Sequence, residues 1–124
     1  MSTFGKGSVL AVLTVIVSLV VAVSAFGGSD AASATTVTVT AGKPSEFRYT
    51  LSKKTIVKGV TTFKVTNKGT INHNFKIAGK KTISLKAGKA TTLKVTFTKA
   101  GKFAYLCTLS GHAAAGMKGT LAVK

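Results

Sequence analysis

Cysteine and histidine are scarce in this sequence, and tryptophan is absent. The 124 residues contain one cysteine, Cys107, and two histidines, His73 and His112. A single cysteine excludes a disulfide bond within the chain, and outside the cytoplasm a free thiol is open to oxidation. A bound metal ion is the simplest reason to keep such a residue.

Acidic side chains are also scarce, so the chain is strongly basic. Its 18 basic and 2 acidic side chains give a formal net charge of +16. Such a charge is typical of proteins that bind nucleic acid. The lysines, however, are spread along the chain, and Arg48 is the one arginine that could recognise bases and phosphates. We therefore expect no nucleic-acid partner. Two compatible interpretations stay open: a solvated surface that resists aggregation, and attraction to acidic partners or to an anionic cell surface.

Helical periodicity is missing after the first 34 residues. Short segments instead alternate between apolar and polar residues and end at turn signals, as at residues 36–40 and 60–66. The length suits one domain rather than two. The pattern predicts an all-β fold over residues 35–124, an antiparallel Greek-key β-sandwich of about seven or eight strands.

The first 34 residues differ in composition from the rest. Lys6 precedes an uncharged apolar run over residues 9–25, and small-residue cleavage sites end at Ala25 and at Ala34. This pattern predicts a secretory signal peptide. Because the run is nearly long enough to cross a bilayer, an uncleaved N-terminal membrane anchor through residues 9–25 stays open. Both interpretations place residues 35–124 outside the cytoplasm, in a periplasmic, cell-surface or secreted protein.

The candidate metal ligands fall in two short stretches. Cys107, His112 and Met117 stand at equal steps, Cys-x4-His-x4-Met, and His73 lies upstream in the stretch NHNF at 72–75. A thiolate and two imidazoles in one plane, with a weak axial thioether, form the ligand set of a blue-copper site. Zinc also accepts cysteine and histidine, but methionine as the fourth ligand favours copper. The sequence therefore predicts one copper ion, cycling between Cu(I) and Cu(II).

The stretch 105–123 resembles the ligand loop of the cupredoxins, which are small blue-copper proteins, and the resemblance extends over residues 36–124. The Cys-to-His spacing is similar to that of auracyanins and rusticyanins and is longer than that of plastocyanins. The resemblance implies that His73 is the first ligand and that the Asn74 side chain ties the two ligand segments together and tunes the thiolate. The chain departs from the family in lacking any tryptophan and a proline in the ligand loop, but neither residue is a ligand.

These residues predict a one-electron carrier rather than an enzyme. Copper oxidases and nitrite reductases need further histidine ligands, whereas Leu106 and Thr108 flank Cys107 and no histidine is left over. We expect a monomer whose partners are redox proteins with acidic docking surfaces. A copper-handling protein that delivers or stores the ion stays open as the alternative, although many methionines or histidines in an open site would suit that role better.

Overall fold

Nine strands form over residues 34–124, the part of the chain that the computed structural model describes. The leader predicted for residues 1–34 lies outside this part, apart from residue 34. Within residues 34–124, no helix is long and apolar enough to cross a membrane. In chain order the strands are β1 (Thr35–Ala41), β2 (Tyr49–Leu51), β3 (Thr55–Ile56), β4 (Gly59–Asn67), β5 (Lys76–Ile77), β6 (Lys80–Lys81), β7 (Ala90–Phe97), β8 (Gly101–Leu106) and β9 (Lys118–Val123).

The strands form two sheets that enclose a common core. One sheet has the order β2-β1-β4-β7 and the other has the order β3-β9-β8-β5-β6. Neighbouring strands are antiparallel, except that β1 is parallel to β4 and β3 is parallel to β9. Strands that are distant in sequence thus lie side by side, as in Greek-key sandwiches. The predicted fold class is confirmed.

The longer strands form where apolar and polar residues alternate. In β1, Val37 and Val39 are buried, whereas Thr36 and Thr38 face solvent. Successive side chains of a strand point to opposite faces, so this period of two turns one face of the sheet into the core. The β-branched residues of these strands also suit a half-buried, pleated surface.

Aromatic rings occupy the centre of the core, between the sheets. The ring centroid of Phe75 lies 5.3 Å from that of Phe63 and 5.5 Å from those of Tyr49 and Tyr105. Tilted and edge-to-face contacts at such distances contribute about 0.5–1.5 kcal/mol per pair beyond the burial of area. Phe75 follows His73 by two residues, so this packing also fixes the chain that carries the histidine.

The segment around His73 has a different structure from the one that its sequence pattern predicts. Alternation predicts a strand over residues 71–77, but only Lys76–Ile77 is a strand, and Ile71 is exposed. His73 instead forms an isolated bridge to Leu85 through two backbone hydrogen bonds of 3.0 and 2.7 Å. The N–H groups of residues 70 and 71 turn towards the carboxylate of Glu46, so they are not available to a neighbouring strand.

Asn67 closes the turn that follows β4. Its buried side chain donates from Nδ2 to the carbonyls of Ile71 and Leu85, at 2.7 and 2.8 Å. Its Oδ1 accepts the N–H of Gly69 at 2.9 Å. A buried amide that makes three hydrogen bonds stabilises one loop conformation, because breaking the pattern would leave polar groups without partners.

Two buried threonines provide a test of how polar groups contribute to the stability of this core. Oγ1 of Thr61 has no hydrogen-bond partner among the described residues. Oγ1 of Thr82, in contrast, accepts the N–H of Phe75 at 3.1 Å and donates to the carbonyl of Ile83 at 2.8 Å. Replacing an unpartnered hydroxyl with a methyl group of similar shape removes a desolvation cost, whereas removing a partnered one leaves its neighbours unsatisfied.

We therefore expect Thr61→Val to raise the free energy of unfolding by about 1 kcal/mol and Thr82→Val to lower it by about 1–3 kcal/mol. Denaturant unfolding followed by circular dichroism measures both changes. A loss of stability in Thr61→Val as large as that in Thr82→Val would contradict this assignment of the two hydroxyls.

Candidate metal centre

The four predicted ligands lie at one end of the sandwich. Cys107 directly follows β8, and Met117 directly precedes β9. The pairing of these strands continues one step further, because the N–H of Cys107 donates to the carbonyl of Met117 at 3.1 Å. His73 lies on the bridge to Leu85. The backbone of the second sheet therefore sets the positions of Cys107 and Met117, and the bridge sets that of His73.

Both histidine rings and the thiol converge on one point. Nδ1 of His73 lies 3.2 Å from Nδ1 of His112, and this second nitrogen lies 3.5 Å from Sγ of Cys107. All three atoms lie within 4.8 Å of one another. A single ion with bonds of about 2.0–2.3 Å, as first-row metals make to nitrogen and sulfur, can bridge donors at this spacing. Two imidazoles and a thiolate fit copper or zinc by their chemistry.

Met117 lies beside the thiol. Its side chain is fully buried and belongs to a small apolar cluster with Cys107 and Ala41, bordered by Phe47, Tyr49 and Leu109. This cluster is separate from the main core of the sandwich. The thioether is thus next to the three convergent donors, where a weak fourth ligand is expected.

Tight turns hold His112 within residues 108–116. Its N–H donates to the carbonyl of Leu109, and its carbonyl accepts the N–H of Met117, both at 3.1 Å. Gly116 has a φ of 113°, which L side chains rarely adopt, and a Cβ there would collide with the guanidinium of Arg48. The loop therefore needs glycine at this position to return the chain to β9.

Asn74 joins the two ligand segments. Its Oδ1 accepts the N–H of Thr108 at 2.8 Å, and its Nδ2 donates to Oγ1 of Thr108 at 2.6 Å. Because Thr108 follows Cys107 and Asn74 follows His73, this pair of hydrogen bonds fixes one ligand relative to the other. The Tyr49 hydroxyl donates to the carbonyl of Asn74 and fixes it from the other sheet. The effect of Asn74 on the thiolate stays a prediction.

The segment 46–48 contributes to the site, and sequence reasoning missed it. Oε1 of Glu46 lies 2.6 Å from Nε2 of His73. The ring of Phe47 meets both histidine rings edge-on, with centroids 6.5 and 5.1 Å away. Nη1 of Arg48 donates to the carbonyl of Ala115 in the ligand loop at 3.2 Å. A signal was available, because residues 34–124 contain one acidic residue and one arginine, and both fall in this tripeptide.

Hydrogen bonding and burial shift the pKa values of groups around the site. The backbone N–H of Thr70, followed by the contact with His73, lowers the pKa of Glu46 to about 2. Burial lowers the pKa of His112 and raises that of Tyr49. At neutral pH the Glu46 carboxylate is therefore charged, and His112 is neutral, which is the form of imidazole that binds metals.

The domain is similar in fold to several solved copper proteins. One is auracyanin A, a "blue" copper protein from the green thermophilic photosynthetic bacterium Chloroflexus aurantiacus, with a TM-score of 0.64 and 18% identity over 73% of this chain and 99% of that chain. Rusticyanin from Thiobacillus ferrooxidans has a TM-score of 0.63 and 22% identity, covering 73% of this chain and 77% of that one. Reduced auracyanin from Roseiflexus castenholzii has a TM-score of 0.53 and 21% identity, covering 73% and 96%. At such identities the likeness shows the fold alone. No curated protein sequence matches the chain.

Comparison of the sequence with models of protein families identifies the family. The model of the cupredoxin-like domain matches residues 11–123, which is most of the chain and includes all four predicted ligands. The resemblance inferred from the ligand loop is thus confirmed. The chain belongs to the cupredoxin-like family.

Proposed function

We propose that the protein is a type 1 (blue) copper protein that carries one electron at a time between redox partners outside the cytoplasm. The observation that carries the proposal is the convergence of Nδ1 of His73, Nδ1 of His112 and Sγ of Cys107. The likeness to auracyanin and rusticyanin supports it, as does membership of the cupredoxin-like family.

Each residue has a distinct role in this proposal. His73 and His112 would bind through Nδ1, Cys107 as the thiolate and Met117 as the weak axial donor. Copper bound there supplies reversible one-electron exchange between Cu(I) and Cu(II). Asn74 would keep the His73 and Cys107 segments at a fixed separation, so the ligands rearrange little when the charge of the site changes.

Burial of the donors favours a carrier over a copper-delivery protein. The side chains of His73 and Met117 are 0% exposed and that of Cys107 is 1% exposed. Delivery requires an incoming ligand to reach the ion, and only His112 among the four is partly exposed.

The same donors bear on oxidase chemistry, which needs a second copper centre. Among the described residues, His73, Cys107 and His112 form the one cluster with metal-ligand spacing, so residues 34–124 offer no donors for a second centre.

The half-buried ring of His112 is the proposed point of electron exchange. Small residues flank it in the loop, from Ala113 to Gly116. No side chain of residues 113–116 is bulky enough to cover its outer edge, so we expect that a partner can approach the ring closely. We expect the electron to enter and leave the site here.

The compartment and the partner follow from the leader and the charge. A signal peptide or an N-terminal anchor would place the domain in the periplasm, on the cell surface or in the medium. With 17 basic side chains and one acidic one in residues 34–124, the domain would attract redox proteins with acidic docking surfaces. We propose that the domain acts as a monomer.

Titration with copper tests the proposed centre. Adding Cu(II) to the purified chain should fill one site per molecule and produce an intense blue colour, because charge transfers from a thiolate to Cu(II). Cys107→Ala should abolish the colour and leave the circular dichroism of a folded sandwich. Zn(II) serves as a control that occupies the site without colour. A colourless Cu(II) complex of the unaltered chain would exclude a blue-copper centre.

Salt dependence tests the proposed partner class. Raising the ionic strength from 0.01 to 0.1 M shortens the screening length from about 30 to about 10 Å. The rate of electron transfer to an acidic redox protein should therefore fall about tenfold or more in stopped-flow measurements. A basic redox protein serves as the control, and its rate should rise. If the rate with the acidic protein is the same at both ionic strengths, the lysines do not steer partners to this site.

A further inference from the structure

Glu46 has an unusual position for the one acidic side chain of residues 34–124. Residues 34–124 also contain seventeen basic side chains. Within this part of the chain, however, the one ion-pair contact of the Glu46 carboxylate is to His73, with Oε1 2.6 Å from Nε2. The remaining hydrogen bonds to the carboxylate come from the N–H and Oγ1 of Thr70 and the N–H of Ile71, at 2.9–3.3 Å. The carboxylate thus faces the ligand segment rather than the lysines.

This contact decides which ring nitrogen of His73 has a lone pair available to bind a metal. A neutral imidazole has one N–H and one lone pair. The carboxylate oxygen at 2.6 Å from Nε2 can only accept, so Nε2 carries a proton. In the neutral ring, which is the form that binds a metal, the lone pair is then on Nδ1. Nδ1 is the nitrogen that lies 3.2 Å from Nδ1 of His112. The tautomer that Glu46 selects is therefore the one that directs a lone pair at the other donors.

Gly69 makes the approach of the carboxylate possible. A Cβ at this position would collide with Oε1 of Glu46 and would lie 2.9 Å from Nε2 of His73. The chain therefore has no side chain at the point where the carboxylate meets the ring. The His73 side of the contact is shielded from water, because its side chain is 0% exposed, whereas the Glu46 side chain is 26% exposed.

We propose that Glu46 is a positioning residue of the copper centre: its carboxylate holds the His73 ring with Nδ1 towards the metal and lowers the reduction potential of the site. The proposal rests on the proposed function. A carboxylate bonded to the far nitrogen of a ligand histidine orients the ring and raises its basicity. Its negative charge also favours Cu(II) over Cu(I), and it opposes the many lysines, which favour Cu(I).

Three variants separate charge, contact and loop structure. Glu46→Gln keeps an oxygen that can accept from Nε2 but removes the charge. Gly69→Ala keeps the charge but displaces the carboxylate from the ring. Thr70→Val is the matched control. It removes the hydrogen bond that Oγ1 of Thr70 donates to Oε2 of Glu46 at 2.9 Å, and it leaves the charge and the contact with the His73 ring in place.

The first measurement is the reduction potential of the copper-loaded full chain by voltammetry. We expect Glu46→Gln to weaken Cu(II) binding at least about tenfold relative to Cu(I). For one electron, tenfold corresponds to a rise of about 59 mV. Gly69→Ala should also raise the potential, whereas Thr70→Val should leave it nearly unchanged. If Glu46→Gln shifts the potential no more than Thr70→Val does, the electrostatic part of the proposal is wrong.

The second measurement uses the metal-free chain and needs no copper. Nitrogen-15 NMR of the imidazoles should find the proton of His73 on Nε2 in the unaltered chain and in Thr70→Val. Gly69→Ala should populate the other tautomer. A proton on Nδ1 in the unaltered chain would overturn the positioning role. If the unaltered chain binds no copper, the proposed function fails, but this measurement still decides whether Glu46 orients the ring.

Discussion

The site depends first on the antiparallel pairing of β8 with β9. Their hydrogen bonding continues beyond the last strand residues, where the N–H of Cys107 meets the carbonyl of Met117. That pairing brings the two sulfur-containing side chains together in one buried cluster and obliges residues 108–116 to close a short loop. His112 is carried in that loop, so its position follows from the same constraint. Glycine at position 116 lets the chain return to the strand.

A separate set of polar contacts brings His73 to the loop. The side chain of Asn74 bonds to Thr108 on one side, and the carboxylate of Glu46 bonds to the far nitrogen of His73 on the other. The aromatic core holds Phe75, two residues away. Hydrogen bonds and packing between protein groups thus hold the candidate donors in place. If copper binds among these donors as proposed, few protein groups would have to move during electron transfer.

The sequence was sufficient to predict the sandwich fold. The alternation in segments such as 36–40 reflects burial of one face, which is a local property of each strand. The sequence also singled out four candidate donors, since the chain has few others of their chemistry, and the structure brings His73, Cys107 and His112 together. It did not predict the role of Glu46 or Arg48, whose contacts join residues 27 and 67 positions apart. The irregular chain before β5 was missed for the same reason. Its backbone N–H groups bind a side chain from a distant loop, and periodicity does not record such a partner.

We propose that one copper ion binds among His73, Cys107 and His112 without rearrangement of the protein. The decisive experiment is a crystal structure of the copper-loaded chain, with the ion located by anomalous scattering at the copper edge. We expect one peak within bonding distance of Nδ1 of both histidines and of Sγ of Cys107, with Glu46 still bonded to Nε2 of His73. A copper peak elsewhere, or one within bonding distance of Nε2 of His73, would rule out this centre.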